Sequence, residues 1–226
     1  MSNERQAPSA PFSAARSSRP LLIVLSAPSG GGKTTLCRAW LDMARGLTYS
    51  VSCTTRPPRP GETEGTSYRF LSDAAFARRV AAGDFLEQAE VHGNRYGTLK
   101  ETVADALRRG MDIVMAIDVQ GAASLRAQAL APDGDPLIRN GFVDIFIAPP
   151  SEAVLRERLL GRGTDSPERI ALRLRNAVDE MARWTEYRYC VVNDDLAEAV
   201  RQLEAIRVAE HCRVPAGQAA KPHGGG

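Results

Sequence analysis

The segment SAPSGGGKTT, residues 26–35, places a lysine and two threonines directly after three consecutive glycines. The apolar run before it, PLLIVLSAP, predicts a strand buried on both faces, and the sequence after it, TTLCRAWLDMA, has apolar residues at helical spacing. A glycine-rich loop between a strand and a helix turns backbone N–H groups and the positive end of the helix dipole toward an anion. This arrangement is typical of a P-loop, which binds nucleotide phosphates.

The polar residues of the loop have separate predicted roles. Lys33 reaches the β- and γ-phosphates, Thr34 supplies a hydroxyl ligand for Mg²⁺, and Thr35 contacts the α-phosphate. The loop therefore predicts a purine nucleoside triphosphate bound with Mg²⁺. The usual pattern has glycine in place of Ala27, and alanine fits there when its φ angle is negative. The nucleotide-binding candidates in this segment are Ala27, Pro28, Ser29, Gly30, Gly31, Gly32, Lys33, Thr34 and Thr35.

A second candidate phosphate site lies in the segment SCTTRPPRPGETEGTSY, which begins at Ser52. Arg56 and Arg59 are three residues apart in a proline-bracketed loop, and a guanidinium group matches the oxygens of a phosphate. Hydroxyl groups come from Ser52, Tyr68 and, further along the chain, Tyr96. From these residues two interpretations stay open: the loop binds a phosphate monoester, or it is a basic surface loop.

A third candidate is the segment RERLLGRGTDSPERIALRLR, residues 156–175, which contains six arginines and no lysine. Arg158 and Arg162 are four residues apart and share a helix face. Surface helices usually mix lysine with arginine, so arginine alone favours contacts with phosphate groups. A solvated pair of helices with surface charges is the alternative interpretation.

These candidates need a scaffold, and the rest of the chain predicts one. Three more apolar runs predict strands, within 111–119, 141–150 and 186–195. Helical patterns occupy 99–110, 151–161, 166–184 and 195–212. Strands that alternate with helices predict a parallel sheet covered on both faces. Residues 50–98 interrupt the alternation and predict a small, mostly β insertion, and 126–141 reads as a polar loop with no assigned role.

Composition excludes several classes of protein. Among 226 residues, 29 Lys and Arg stand against 27 Asp and Glu, and this balance argues against nucleic acid or an anionic membrane as a partner. The four cysteines form no C-x-x-C motif, so we expect reduced thiols rather than a zinc or redox site. No apolar run is long enough to span a bilayer, and no secretory signal is evident, which predicts a cytoplasmic location.

The motifs SAPSGGGKTT, SVSCTTRPPRPGETEGTSYRF, FLEQAEVHGNRYGT, IDVQG, FIAPPS, GRGTDS and VVNDD follow one another along the chain. In their order and spacing they resemble the guanylate kinase family, from about Leu21 to about Cys212. The resemblance implies a P-loop three-layer α/β/α sandwich with a parallel sheet, a small β-rich GMP-binding insertion and an arginine-rich helical lid. The implied divisions are a disordered tail 1–19, core 20–50 with the P-loop, GMP-binding region 51–98, core 99–155, lid 156–176, core 177–213 and a disordered tail 214–226.

The resemblance also implies a reaction, in which ATP and Mg²⁺ phosphorylate GMP, or its deoxy form dGMP, to the diphosphate. The residues implied to hold the GMP phosphate are Ser52, Arg56, Arg59, Tyr68 and Tyr96. Those implied to read guanine are Glu87, Thr98 and Asp118. The implied lid arginines are Arg158, Arg162 and Arg173, and Asn193 and Asp194 are implied to lie beside adenine. The implied catalytic residues are Lys33, Arg59, Arg162 and Arg173.

Guanine chemistry agrees with the implied role of Glu87. A carboxylate accepts hydrogen bonds from both N1–H and the 2-amino group of guanine, whereas adenine turns an acceptor toward it. Without the resemblance Glu87 reads as an ordinary surface glutamate, but Asp118 ends a buried run, where ligands bind in such sheets. One departure is Ala116, which stands where many members of the family carry an acidic residue.

Two alternative functions remain. One is a different small-phosphate kinase built on the same P-loop, such as a ribose-bisphosphate kinase, against which Glu87 and Thr98 speak. The other is a catalytically silent guanylate-kinase-like binding module, a class that commonly loses the P-loop lysine or the lid arginines. Lys33, Arg162 and Arg173 are present in this chain. The oligomeric state has no basis in the sequence.

Overall fold

The computed structural model describes residues 19–91, 93–161 and 167–213. The strands are β1 (Leu22–Ser26), β2 (Leu47–Tyr49), β3 (Cys53–Thr54), β4 (Arg69–Phe70), β5 (Phe85–Val91), β6 (Asn94–Leu99), β7 (Asp112–Ala116), β8 (Phe142–Ala148) and β9 (Tyr189–Val192). The helices are α1 (Lys33–Met43), α2 (Asp73–Ala81), α3 (Lys100–Arg108), α4 (Val119–Leu130), α5 (Pro136–Gly141), α6 (Glu152–Leu160), α7 (Pro167–Ala182) and α8 (Leu196–Cys212), with a short 3-10 helix at Arg183–Glu186. The predictions for both tails and for Arg162 lie outside the described residues.

The central sheet has five parallel strands in the order β2-β7-β1-β8-β9. Ligands bind such sheets at the carboxyl ends of the strands. The P-loop follows β1, Asp118 follows β7 and Asn193 follows β9, so all three lie at this edge. The parallel sheet flanked by helices confirms the predicted three-layer α/β/α fold.

Helices cover both faces of this sheet because its strands are apolar on both sides. In β1, Leu22 and Val24 pack in the core beneath α3 and α4, whereas Ile23 and Leu25 pack in the core beneath α1 and α8. The alternation follows from the period of two in a strand. A strand buried on both faces therefore holds the P-loop between two packed cores.

The insertion after β2 contains a second sheet, with strands in the order β4-β3-β6-β5. Strands β5 and β6 form an antiparallel pair that sets Glu87 opposite Thr98. The insertion also contains α2, which the sequence analysis did not predict. Ser72 caps α2 by accepting a hydrogen bond from the backbone N–H of Ala75, and the Phe76 ring stacks on Phe85 with centroids 4.5 Å apart. The prediction of a mostly β insertion missed this helix because it overlooked the cap.

The prediction of a polar loop at 126–141 was wrong. Residues up to Leu130 continue α4, and α5 follows, with Asp135 as its cap and Pro136 in its first turn. Leu125 and Ala129 are buried on the core side of α4, which makes that stretch amphipathic rather than polar. The segment thus contributes to one face of the central sheet.

Within the described part of the chain, no helix has the length and apolar character needed to cross a bilayer. The four cysteines carry no disulfide: Cys37 and Cys53 are buried, and Cys190 and Cys212 are exposed.

Candidate active site

The P-loop glycines are required by the protein that surrounds the loop. Gly30 has a φ of 90°, and a Cβ atom there would lie 3.0 Å from side-chain atoms of both Leu155 and Leu159. Gly32 has a φ of 84°, and its Cβ would lie 2.3 Å from Nδ2 of Asn193. Positive φ angles already favour glycine. The loop is therefore packed closely on α6 and on the end of β9, in addition to offering its backbone to phosphates.

Ala27 fits the first position of the loop because of the residue opposite it. A Cβ at Gly31 would lie 2.9 Å from the Cβ of Ala27 and 3.1 Å from the carbonyl oxygen of Pro28. The Gly31 N–H donates to that carbonyl at 2.9 Å. The methyl group of Ala27 thus occupies space that Gly31 leaves empty.

Asn193, at the end of β9, hydrogen-bonds to the P-loop and to α6. Its side-chain Nδ2 donates to the backbone carbonyl of Gly31 at 3.0 Å, and its backbone carbonyl accepts from Nη2 of Arg158 at 3.0 Å. The buried Nη1 of Arg158 has no hydrogen-bond partner among the described residues and lies beside Gly32. Arg158 therefore has an unused donor at the P-loop, which suits a nucleotide phosphate. Asp194, the other implied adenine contact, is exposed at the same edge.

Lys33 is surrounded by opposite charge. Its ammonium group donates a hydrogen bond to the backbone carbonyl of Ile117. Withdrawal from solvent lowers the pKa of Lys33, while the negative charges of Asp118, Glu180 and Glu87 act in the other direction. Three carboxylates around one lysine leave the site short of positive charge, so a polyphosphate needs further cations beside it.

Glu87 is the buried acid of the site. Its side chain is 4% exposed and accepts a hydrogen bond from Oγ1 of Thr98 at 2.7 Å. Burial raises the pKa of Glu87 to about 7; the Thr98 hydrogen bond opposes this shift, and the charge of Asp118 adds to it. A carboxylate kept in such a place without a partner cation is costly, and a ligand with matching donors offsets that cost.

Gly121 makes room for these two acids, and the sequence analysis missed it. Asp118 caps α4, with its Oδ1 accepting from the Gly121 N–H at 2.8 Å. A Cβ at Gly121 would lie 2.6 Å from Oε2 of Glu87 and 3.1 Å from Oδ1 of Asp118. Gly121 belongs to the IDVQG motif, but glycine carries no chemistry of its own and its neighbour Glu87 is distant in sequence.

A cavity of about 180 Å³ lies between the two sheets. It brings together most of the implied acceptor residues, and its walls include Lys33, Ser52, Tyr68, Glu87, Tyr96, Ala116 and Asp118. The rings of Tyr68 and Tyr96 meet edge to face, with centroids 6.0 Å apart. The hydroxyls of Ser52 and Thr98 are 3.5 Å apart. The walls of the cavity therefore carry hydroxyl groups, the ammonium group of Lys33 and two carboxylates.

Arg56 is held in place by a second residue that the sequence analysis missed, Glu62. Both carboxylate oxygens of Glu62 accept from Nη2 of Arg56, at 2.8 and 2.9 Å, and one also accepts from the Arg59 N–H at 2.7 Å. The guanidinium of Arg56 lies over the Tyr68 ring, 5.4 Å from its centroid. Arg59 itself is exposed and lines the P-loop cavity.

The described part of α7 brings Arg173 to the same place. Arg173 and Arg59 both line the cavity of about 230 Å³ formed by the P-loop. Glu180, a third residue missed from the sequence, lines it too and accepts a hydrogen bond from the Ser29 N–H at 3.0 Å. The structure thus places Arg59 and Arg173, implied by the resemblance to be an acceptor arginine and a lid arginine, beside the same P-loop.

The residues present fit a magnesium–nucleotide complex. Thr34 and Thr35 are exposed in the first turn of α1. No cluster of three or more His, Cys, Asp or Glu side chains suited to a metal occurs in the described ranges. Mg²⁺ usually keeps several waters and takes one or two protein ligands plus substrate phosphates. A single hydroxyl such as that of Thr34 beside nucleotide phosphates satisfies this donor set.

The fold and the site define a P-loop nucleotide-binding protein, with a second, acid-containing cavity next to the phosphate loop. The sequence model of the guanylate kinase family matches residues 18–210, so the chain belongs to the guanylate kinase family.

Individual relatives agree. The chain is 48% identical over 193 residues to a guanylate kinase of Symbiobacterium thermophilum, a match that covers 85% of this chain and 87% of the relative. It is 45% identical to a guanylate kinase of Geobacter sulfurreducens, with 85% and 90% covered. The crystal structure of guanylate kinase from Anaplasma phagocytophilum superposes with a TM-score of 0.71 at 31% identity, and the match covers 89% of this chain and 92% of that one.

Proposed function

We propose that this protein transfers the γ-phosphate of ATP to GMP, giving ADP and GDP, and so serves purine nucleotide metabolism. The observation that carries the proposal is Glu87, a buried carboxylate held by Thr98 in the cavity next to Lys33. Membership in the guanylate kinase family supports the same reaction. A buried acid at this position suits a base that presents two adjacent donors.

Glu87, Thr98 and Asp118 are the proposed readers of guanine. Glu87 accepts from N1–H and the 2-amino group, and these donors favour its ionised form and lower its pKa from about 7. Thr98 has one hydroxyl hydrogen, which it gives to Glu87 in the free protein. The guanine donors replace that bond, and the hydroxyl then turns to O6. Adenine leaves the buried carboxylate unpaired, a mismatch that sites of this kind reject by roughly 10⁴–10⁵-fold.

In this proposal the GMP phosphate is held by hydroxyl groups of the cavity together with two arginines. Its ligands are Ser52, Arg56, Arg59, Tyr68 and Tyr96. The attacking atom is a phosphate oxygen, whose second pKa is about 6, so it is deprotonated at neutral pH. No general base is needed. The protein contributes by position and charge, as expected for phosphoryl transfer through a loose, in-line transition state.

The donor phosphates lie in the P-loop. Lys33 meets the β- and γ-phosphates, and Thr34 holds Mg²⁺, which when bound neutralises charge on those phosphates. Arg158, Arg162 and Arg173 act as the lid arginines that stabilise the phosphoryl group in transit. Residues 156–176 form the lid and 51–98 the GMP-binding region. Closure of these two over the core excludes water that would otherwise accept the phosphate.

The alternative from another class is a catalytically silent binding module. Both readings need a GMP-shaped cavity, but only the enzyme needs cations at the P-loop. Lys33 and Arg173 both line the P-loop cavity, and the buried Nη1 of Arg158, beside Gly32, has no hydrogen-bond partner among the described residues. These cationic groups at the P-loop support the interpretation as an enzyme over that as a silent binding module.

The experiment that tests the proposal is an ADP-release assay with ATP and Mg²⁺, run with GMP, dGMP, AMP, UMP and CMP. We expect rapid turnover with GMP and almost none with AMP. Glu87→Gln, which turns a donor toward the guanine 2-amino group, should raise KM for GMP at least 100-fold. Lack of turnover with every nucleotide, while GMP still binds in calorimetry, would support the binding module instead.

A further inference from the structure

Glu180 is a partly buried acid that the proposed mechanism does not use. It lies on α7, and its Oε2 accepts the backbone N–H of Ser29, 151 positions earlier in the chain, at 3.0 Å. Burial raises the pKa of Glu180; the Ser29 N–H opposes this shift, and the charge of Asp118 adds to it. An acid beside a polyphosphate site is electrostatically unfavourable, so its presence there requires a reason.

The position of Glu180 on its helix supplies that reason. Arg173 and Glu180 are seven residues apart, which is about two helical turns or roughly 10.5 Å, so both lie on one face of α7. Both line the P-loop cavity. On this face of α7, Glu180 is hydrogen-bonded to the P-loop, and Arg173 lies about two turns closer to the start of the helix.

The neighbouring face of α7 packs on α6, and α6 in turn packs on the P-loop. Ala177 is buried and Leu174 partly buried against Leu155 and Leu159 of α6, and these two leucines contact the position of Gly30. Apolar contacts of this kind are non-directional. The hydrogen bond that Glu180 accepts from the Ser29 N–H adds a directional constraint on the helix.

We propose that Glu180 is a positioning residue for phosphoryl transfer, which anchors α7 on the Ser29 N–H and so sets where Arg173 meets the phosphoryl group. The inference rests on the role proposed above for Arg173. Glu180 need not touch the reacting atoms, because its effect passes through the helix. A displacement of about 1 Å at a reacting centre is enough to cost roughly 100-fold in rate.

A competing idea is that the Glu180 carboxylate imitates a phosphate and blocks the empty loop. The two ideas predict opposite results for the uncharged isostere. If Glu180 blocks the loop, Glu180→Gln should bind ATP more tightly. If Glu180 anchors the helix, glutamine keeps an acceptor oxygen for the Ser29 N–H and should behave nearly as the parent does.

The test compares Glu180→Ala, Glu180→Gln, Arg173→Ala and the double variant Glu180→Ala/Arg173→Ala. Asp179→Ala is the matched control, because Asp179 is the exposed acid next to Glu180 on α7. We expect Glu180→Ala to lower kcat between 10- and 100-fold with KM for GMP changed less than threefold. Glu180→Gln should retain at least a third of the parent kcat. The kcat of the double variant should lie within about twofold of the kcat of Arg173→Ala, because both substitutions remove the same contribution of Arg173 to catalysis.

A readout apart from activity is amide hydrogen exchange at Ser29, which should accelerate in Glu180→Ala and stay unchanged in Asp179→Ala. The behaviour of Glu180→Gln keeps the test valid even where the alanine variant folds poorly. Multiplicative losses in the double variant, or tighter ATP binding by Glu180→Gln, would overturn the proposal. The proposal would also be overturned if Glu180→Ala kept the parent kcat while Arg173→Ala was slow. In that case the proposed reaction itself would still stand. Full turnover of Arg173→Ala would contradict the role of that arginine as well.

Discussion

At the scale of single residues, the acceptor cavity depends on where two carboxylates are allowed to lie. Glu87 and Asp118 both approach the first turn of α4, where Oε2 of Glu87 and Oδ1 of Asp118 lie close to the position of Gly121. Their position is made possible by a missing side chain at Gly121, since any Cβ there would meet both. The proposed reading of guanine by Glu87 therefore depends on a glycine as much as on an acid.

Gly121→Ala should separate stability from substrate recognition. Alanine is favoured over glycine within a helix by about 1 kcal/mol, and the φ angle of Gly121 is not in the left-handed region. The added methyl group must displace the Glu87 carboxylate, so we expect KM for GMP to rise at least tenfold while KM for ATP stays within threefold. Steady-state kinetics together with thermal unfolding measure both quantities.

The control for that variant is Ser124→Ala, an exposed position on the same helix, which should change neither KM for GMP nor KM for ATP.

A second test combines Gly121→Ala with Glu87→Asp. Glu87→Asp draws the carboxylate back by about one bond length, roughly 1.5 Å. In a double-mutant cycle the two substitutions should therefore cost less together than the sum of their separate costs. Full additivity, or an unchanged KM for GMP in Gly121→Ala, would show that Gly121 does not set the position of Glu87.

At the scale of elements, the P-loop is held by several separate parts of the chain. It continues β1, begins α1, packs on α6 through Gly30 and is held by Asn193 from the end of β9. Its shape is thus fixed by neighbours far away in sequence. The loop is prepared for phosphate before any nucleotide binds, which is the condition for electrostatic stabilisation without reorganisation.

Asn193→Ala should weaken binding of the donor phosphates. The change removes the donor to the Gly31 carbonyl and empties the space beside Gly32, at a cost of about 1–2 kcal/mol. We expect the Kd for ATP to rise roughly tenfold, since 1.4 kcal/mol is a factor of ten. Calorimetry with ATP and with inorganic tripolyphosphate should show the same loss, because both ligands use the loop.

Cys190→Ala, at an exposed position of β9, is the control and should bind both ligands normally. A loss confined to ATP, with tripolyphosphate unaffected, would instead favour direct contact between Asn193 and adenine, the role implied by the resemblance to the family.

The elements themselves were largely accessible from sequence, for a physical reason. A strand buried on both faces leaves a continuous apolar run, as at β1 and β8, and an amphipathic helix leaves a periodic one. Short α2 and the end of α4 were missed because a Ser72 cap and two buried residues, Leu125 and Ala129, are weak local patterns. Capping and burial are decided by tertiary contacts as much as by local sequence.

The site divides in the same way. Lys33 and the arginines suggest phosphate chemistry by their type and local pattern, whereas Glu87 was assigned only through the resemblance to the family. Gly121 and Glu180 act through a contact with a residue far away in the chain, Glu87 or Ser29. Neither contact has a local pattern, so the folded structure is needed to find it.

At the scale of the whole molecule, the two edges of the central sheet have different tasks. The carboxyl edge carries the P-loop, Asp118 and Asn193. The opposite edge carries a buried ion cluster around Asp112, which is 3% exposed. Asp112 accepts the Leu21 N–H at 2.8 Å and Nη1 of Arg207 at 2.8 Å, and Nε2 of His211 lies 2.7 Å from its Oδ2. This cluster ties β7, β1 and α8 together, away from the substrates.

Asp112→Ala should therefore lower stability without altering catalysis. Removing one partner of a buried ion cluster leaves charge uncompensated, and we expect the free energy of unfolding in urea to fall by about 3 kcal/mol. Asp105→Ala, which breaks the exposed pair with Arg108, should cost less than about 1 kcal/mol. At a temperature where both variants are folded, kcat and both KM values should match the parent within twofold. A change in KM for GMP or ATP in Asp112→Ala would mean that the amino edge of the sheet is coupled to the active site, because β1 and β7 would then transmit a shift along their length to the P-loop and Asp118.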